Sequence, residues 1–317
     1  MKSDKLSVER TRQIISEIFT DDQQTKLMQD KQLDFAYEIT ELGRFRGSAM
    51  LHNNGLGAVF RVIPPKIKTL EELGLPDVVT KVLDNHQGLI LVTGATGQGK
   101  STTLAGMVDY INTNRAHHVL TIEDPIEFIH PKKQGVVNQR QLARDTLSYE
   151  NALRAALRED PDVIVIGEMR SLDTISMAIS AAETGHLVIG TMATFSAPKT
   201  IDRIIDAYPP NEQNQIRAML GESFRAVITQ RLIPAADEKS MALASEILIG
   251  TIPMSKLIRD GKTFQIPSMM QTGKSVGMQI MDECILSLLQ EGKITAQSAQ
   301  KYANDPKIFD KFVKKGN

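Results

Sequence analysis

The sequence predicts an α/β protein whose main domain is a parallel sheet between helix layers, preceded by a small α/β unit. Three observations carry this. From about residue 69, strand-like and helix-like stretches alternate. Several of the strand stretches, Val163-Ile164-Val165-Ile166 among them, are apolar throughout, so both faces must be covered. Before residue 64 the pattern differs: two short amphipathic stretches lead into runs with a period of two.

In chain order, residues 7 to 30 read as two short helices. Val8, Thr11, Ile15 and Ile18 share one face at helical spacing, and Thr20 with Gln23 fits a capping box that opens the second helix. Leu33, Phe35, Tyr37 and Ile39 then alternate with Asp34, Ala36 and Glu38, a half-buried strand. Residues 44–51 and 57–63 read as two more strands, joined by the turn-like His52-Asn53-Asn54-Gly55. This unit, 1–64, is small for an independent core. Pro64-Pro65-Lys66 opens a linker over 65–72. The main domain, 73–317, is expected to hold strands at 89–93, 119–122, 163–166, 187–191 and 243–249. Helices are expected at 100–113, 148–159, 171–184, 198–207, 212–230, 253–260, 276–291 and 295–303. The basic end, 311–317, reads as a frayed tail.

The main domain is organised around Leu89-Ile90-Leu91-Val92-Thr93-Gly94-Ala95-Thr96-Gly97-Gln98-Gly99-Lys100-Ser101-Thr102. A buried strand runs into a glycine-rich turn and a helix start, and Gly94, Gly99, Lys100 and Ser101 stand at phosphate-loop spacing. Glycines let successive backbone N–H groups curl inward around a polyphosphate, and the helix adds its positive end. Thr96, Gly97, Gln98, Gly99, Lys100, Ser101 and Thr102 are therefore the expected nucleotide contacts. Lys100 would reach the β- and γ-phosphates, and the Ser101 hydroxyl would ligate Mg²⁺.

Composition narrows the partners. A net charge of −1 and a pI near 6.6 offer no long-range field for nucleic acid or anionic lipid. Tryptophan is absent and aromatics are 5%, so base-stacking platforms are not expected. The single cysteine, Cys284, can make neither an internal disulfide nor a cysteine-rich zinc site, which suits a reducing cytoplasm. No apolar run approaches membrane-spanning length, so a membrane role would be peripheral.

Two acidic clusters follow the loop at strand ends, where ligands bind in sheets of this kind. They are Thr121-Ile122-Glu123-Asp124-Pro125-Ile126-Glu127 and the Gly167-Glu168-Met169-Arg170 that ends the 163–166 strand. Phosphoryl transfer to water needs positioned charge and a group that orients the water. Glu168 is the first candidate for that group, and Glu123, Asp124 or Glu127 for indirect Mg²⁺ contacts. Asp124, which precedes a proline, also suits a plain cap. His117 and His118 lack a third ligand at suitable spacing and read as a solvated pair; Arg154 and Arg158 read as a salt-bridging helix face.

With these motifs stand Leu153-Arg154-Ala155-Ala156-Leu157-Arg158-Glu159-Asp160-Pro161-Asp162 and Ala182-Glu183-Thr184-Gly185-His186. Together they resemble the secretion-ATPase superfamily. Thr200-Ile201-Asp202-Arg203-Ile204-Ile205-Asp206 and Leu257-Ile258-Arg259-Asp260 bring the resemblance to the type IV pilus retraction ATPases, from about Leu33 to Ser298. It implies a RecA-like ATPase core, an N-terminal PAS-like domain and Mg²⁺-ATP hydrolysis. It also implies a homohexameric ring, peripheral at the inner membrane, docked on the pilus platform protein there. Three departures stand out. The family's leading segment with an Asp-Leu-His-Leu motif is missing, which shortens the N-terminal domain. The family's Thr-Leu-His-Thr is Thr191-Met192-Ala193-Thr194 here. An arginine common before Gly-x-Gly-Ala-Val-Phe-Arg is Asn54, leaving Arg46 and Arg61 as candidate arginine fingers.

Other functions fit these residues less well. An extension or type II secretion ATPase would usually carry a four-cysteine zinc insertion and further N-terminal domains. A RecA-like nucleic-acid translocase is disfavoured by the charge balance, and a small-molecule kinase by the two acidic strand ends. A non-hydrolysing nucleotide-dependent interaction protein is an alternative that the missing histidine at 193 leaves open.

Overall fold

The computed structural model describes residues 5–40 and 42–313. They fall into two compact units. One takes the chain up to Ile67 together with Asp124–Ile129; the other takes Lys68–Glu123 and everything from His130 onward. The sequence reading put 124–129 in the main domain, but this segment packs with the smaller unit. Six residues between two long core segments carry too little periodicity to show that.

In the smaller unit, helices α1 (Val8–Glu17) and α2 (Asp21–Asp30) precede strands β1 (Gln32–Ile39), β2 (Gly43–His52) and β3 (Gly55–Ile63). The strands form an antiparallel sheet in the order β1-β2-β3. Thr20 and Gln23 make the reciprocal capping box expected from their spacing. Ile15, Phe19, Leu27, Leu33, Phe35, Ala49 and Leu56 form the core. Phe35 packs edge-on against Phe19, with ring centres 4.7 Å apart. Gly47 makes room for it: a Cβ there would stand 2.3 Å from the Phe35 ring.

In the larger unit, α3 (Val78–Leu83) leads into β4 (Gly88–Thr93), α4 (Lys100–Asn114), β5 (His118–Glu123) and β6 (Val136–Gln141). Next come α5 (Tyr149–Ala156), β7 (Val163–Ile166), α6 (Leu172–Glu183), β8 (Leu187–Met192), α7 (Ala197–Asp206) and α8 (Gln213–Ser223). The chain ends with β9 (Phe224–Pro234), β10 (Met241–Ile249), α9 (Ile252–Arg259), α10 (Ile266–Thr272), α11 (Met281–Gln290), α12 (Ala296–Tyr302) and α13 (Asp310–Val313). The tail expected at 311–317 thus begins on α13, and its last four residues lie outside the described ones. Among the described residues the sheet order is β10-β9-β4-β8-β7-β5-β6. The pairings from β9 through β6 are parallel, and β10 alone runs antiparallel, against β9.

Strand alternation divides the core between the two faces of the sheet. Leu89, Leu91, Ile164 and Ile166 join the cluster under α5, α6 and α8. Ile90, Val92, Val163 and Val165 join the cluster under α3 and α4. This is why the strands are apolar at consecutive positions. Beyond the far end of β9 and β10, Ile233 and Ala244 pack with Met281, Ile285 and Phe309.

The sequence reading fails most clearly at 212–230, where one helix was expected. The helix ends at Ser223, and Phe224–Pro234 is a strand beside β4. Gly221 falls inside the last turn of α8 rather than at its end, no proline marks the change, and Phe224, Ala226, Val227 and Ile228 continue an apolar pattern that suits either element. The helices at 148–159 and 276–291 are shorter than expected, and β6 and α3 were not foreseen. β6 reads Val-Val-Asn-Gln-Arg-Gln, a polar edge strand with a weak period.

Candidate functional site

The parallel strands end together at one edge, which gathers the turns after β4, β5, β7 and β8. The turn after β4 is the phosphate loop. Gly94, Gly97 and Gly99 have φ of +142°, +82° and +83°, values that disfavour any side chain. A Cβ on Gly94 would stand 2.6 Å from the Gln230 carbonyl oxygen, so β9 presses directly on the loop. Gln98 Oε1 accepts a hydrogen bond from the Leu232 N–H at 2.5 Å, a second tie to β9. Thr93 and Thr229 join hydroxyls at 2.8 Å, and Gln230 Nε2 donates to Thr103 Oγ1 at 2.8 Å.

Helix α4 starts without a side-chain cap. Its neighbours at the same edge differ: Ser171 caps α6 and Ser196 caps α7. The first N–H groups of α4 thus keep the bonding capacity that an anion satisfies. Lys100 Nζ lies back over the loop and donates to the carbonyls of Gly94 and Ala95 at 2.8 and 3.0 Å. Burial lowers the pKa of its amine, and the Glu168 carboxylate acts in the opposite direction. Ser101 is exposed on the first turn of the helix, with Thr102 half-buried beside it. An uncapped helix start, glycines in the left-handed region and a folded-back ammonium fit a nucleoside triphosphate with its divalent cation.

Glu168 stands on the turn after β7. Its carboxylate pairs with Arg170 at 2.5 Å and is close enough to influence Lys100. The turn is laced to both neighbouring strands. Gly167 N–H donates to Ile122 O at 2.8 Å, Met169 N–H to Thr191 O at 2.8 Å, and Thr191 Oγ1 to Gly167 O at 2.6 Å. Glu123 ends the adjacent strand β5. Thr121 Oγ1 and Gln139 Nε2 donate to its Oε1 at 2.6 and 3.1 Å. The fold therefore brings Lys100, Ser101, Glu123 and Glu168 to one edge of one sheet.

Glu127, Arg46 and Arg61 belong to the smaller unit. Glu127 pairs with Arg46 at 2.7 Å, so two residues nominated for separate roles are each other's partner there. Arg61 is exposed and stands opposite Arg46 in the β2–β3 register. Ala193 follows β8, whose last residue, Met192, is paired with Thr93. The position that holds a histidine in the family pattern is thus next to the start of the phosphate loop. Sequence reasoning did not find Glu150. It accepts hydrogen bonds from Ser171 Oγ and Thr174 Oγ1 at 2.9 and 3.0 Å, and no sequence spacing signals a contact 21 residues away.

Comparison with known proteins agrees with this geometry. A Pseudomonas aeruginosa protein named a type IV pilus retraction ATPase, PilT, is 50% identical over 296 residues, 93% of this chain and 86% of that protein. A Neisseria gonorrhoeae twitching motility protein is 46% identical over 95% of this chain and 80% of its own length. A crystal structure described as the pilus retraction motor PilT with bound ADP superposes with a TM-score of 0.86. It shows 42% identity and covers 94% of this chain and 84% of that one. The family model described as Type II/IV secretion system protein matches residues 8–301. On sequence and fold alike, the chain belongs to the Type II/IV secretion system protein family.

Proposed function

We propose that this chain is a Mg²⁺-dependent ATPase that powers the retraction of a type IV pilus. The single observation that carries the ATPase reading is the placement at one edge of the sheet of Lys100, at the start of an uncapped α4, and Glu168, on the turn after β7. Retraction is supported by the names borne by the relatives at 50% and 46% identity. The bound triphosphate supplies the phosphoryl group, and Mg²⁺ offsets its charge. The loop N–H groups of 96–99 and the start of α4 hold the β-phosphate, with Thr102 following. Lys100 leaves the Gly94 and Ala95 carbonyls for the γ-phosphate. Ser101 would hold Mg²⁺ through its hydroxyl, and Glu123 would add negative charge near the metal. Glu168 orients the attacking water. Arg46 and Arg61 are proposed to offset γ-phosphate charge, and Arg61→Ala should lose about 10³-fold or more in turnover.

The working form is a homohexameric ring in the cytoplasm, docked on the pilus platform protein at the inner membrane. Among the described residues no helix is long and apolar enough to cross a membrane. The test combines Mg²⁺-ATPase activity and native mass with imaging of labelled pili in cells that make the protein. Deletion, or replacement by Lys100→Ala, should leave pili that extend but do not shorten. Cells that never extend pili would assign the chain to extension instead.

A further inference from the structure

A helix that crosses between two parallel strands runs antiparallel to them, so its first turn lies at the edge where the strands end. For α5 this brings Tyr149 and Glu150 against the turn that carries Glu168. At the near end of that turn, the Tyr149 hydroxyl is 3.2 Å from where a Cβ on Gly167 would stand. At the far end, Ser171 Oγ and Thr174 Oγ1 both donate to Glu150 Oε1, at 2.9 and 3.0 Å. Ser171 also caps α6 by accepting from Thr174 N–H at 3.1 Å. Between Gly167 and Ser171 lie only Glu168, Met169 and Arg170, of which Met169 N–H is also tied to Thr191 O at 2.8 Å.

We infer that Glu150 is a positioning residue for ATP hydrolysis: by holding Ser171 and Thr174 it fixes the turn from which Glu168 addresses the water. This rests on the reading of Glu168 given above. The clamp has the right chemistry for its place. A carboxylate is an acceptor only, and here it meets two hydroxyls, each with one proton to give, whose oxygens lie 2.8 Å apart. Its own backbone N–H, with the hydroxyls of Ser171, Ser148 and Thr174, holds the Glu150 carboxyl at about 2, so it is an anion throughout the working range. Arg170 gives the clamp a reason to exist. It pairs with Glu168 at 2.5 Å, so a shift of the turn would carry both side chains with it. Among the described residues the Glu150 carboxylate bonds Ser171 and Thr174 and not the phosphate loop, so its loss should leave nucleotide binding alone.

The test compares Glu150→Ala, Glu150→Gln and Thr174→Val with the wild-type protein. Turnover, affinity for a fluorescent ATP analogue and melting temperature are measured for each. A displacement of about 1 Å at a reacting group costs up to ~10²-fold in rate. Glu150→Ala is therefore expected to lose about tenfold or more in turnover, with affinity unchanged within twofold. Glu150→Gln keeps an oxygen that accepts from both hydroxyls and should stay within about threefold of wild type. Thr174→Val removes one donor at constant shape and decides the matter if Glu150→Ala does not fold. The cycle with Glu168→Gln is the sharper readout. In that background Glu150→Ala should cost nothing further in single-turnover rate, because the group it positions is already gone. An equal loss there, or a parallel loss of affinity, would show that Glu150 supports the fold at large and would overturn the clamp. Full turnover of folded Glu150→Ala beside an inactive Glu168→Gln overturns the clamp alone. Full turnover of Glu168→Gln overturns the role of Glu168 and the clamp with it.

Discussion

The turn after β4 and the turn after β7 leave the same edge of the sheet, yet different atoms hold them. The first is held by its backbone: three glycines at positive φ, a close approach to the Gln230 carbonyl and an N–H of β9 on Gln98. The second has one glycine, not in the left-handed region; besides its bonds to Ile122 and Thr191 it is tied to α5 by the side chain of Glu150, through Ser171 and Thr174. A backbone-held turn tolerates almost no change of residue, and its spacing is its signature. A side-chain-held turn can be loosened or tightened by substitutions elsewhere, without disturbing the residue that does the chemistry.

The largest effect expected is at Lys100. Lys100→Ala removes a charge and a phosphate contact from the turn that is already complete before ATP arrives. Calorimetry should show ATP binding lost together with turnover. Near-normal affinity would mean that the loop is not the phosphate site. Glu168→Gln should behave differently, because the second turn acts in the chemical step. It keeps the shape and removes the charge, so ATP should still bind while turnover falls by at least about 10²-fold.

The glycines of the two turns sharpen the contrast. A Cβ on Gly94 meets a carbonyl oxygen at 2.6 Å, at φ +142°. Forced overpacking of that kind costs about 1–3 kcal/mol, before the backbone strain is added. Gly94→Ala should therefore lower the melting temperature by several degrees and abolish ATP binding. On Gly167 the nearest atoms are the Ile122 carbonyl oxygen at 3.1 Å and the Tyr149 hydroxyl at 3.2 Å. Gly167→Ala should bind ATP normally and lose only part of its turnover. Equal damage from both substitutions would erase the distinction between the turns.

The same distinction explains what was legible in the sequence. The phosphate loop could be read residue by residue, because a local backbone conformation demands glycine, lysine and serine at fixed offsets. The carboxylate of Glu168 was legible too, since an apolar strand delivers it. What holds that carboxylate was not, because Glu150, Ser171 and Thr174 meet only after α5, β7 and α6 have packed. The strand at 224–234 was hidden for the converse reason: its apolar residues suit a helix locally, and only pairing with β4 and β10 decides against one. Glu127 read as part of one acidic cluster with Glu123, yet the chain passes from one unit to the other between them.

A pH titration probes the turn after β5 in the same spirit. His130 N–H donates to Gln139 Oε1, and Gln139 in turn donates to Glu123. Burial lowers the His130 pKa from 6.5 to about 4, with Asp109 opposing and Lys133 assisting. Between those values the unfolded ring carries a proton that the folded ring does not, so stability falls as pH is lowered from 6.5 towards 4. At ~1.4 kcal/mol per unit the loss is a few kcal/mol at most. Urea unfolding at pH 7 and pH 4.5 should show it, and His130→Gln should reduce the difference. An undiminished difference in that variant would place the titrating group elsewhere.

The smallest effect is expected at Ala193, where the resemblance calls for a histidine. The residue is exposed and directly follows β8, which ends opposite the start of the phosphate loop. The ties from this strand to the Glu168 turn run through the Thr191 carbonyl and hydroxyl, one residue removed from the neighbour of Ala193. They are complete without an imidazole. On the other side, Thr194 Oγ1 is bonded to Thr200 Oγ1 at 2.6 Å, so the hydroxyl of the next residue is already engaged. An imidazole introduced by Ala193→His is therefore expected to lack a fixed tautomer and direction. A loosely held donor adds little to a rate that depends on position. Turnover should change by less than about tenfold, a weaker effect than general acid–base groups give when they are positioned. Turnover of this variant and the wild type at pH 6 and pH 8 makes the check. A gain above tenfold, larger at the lower pH, would show a third turn at this edge prepared for a charged imidazole that the chain does not supply.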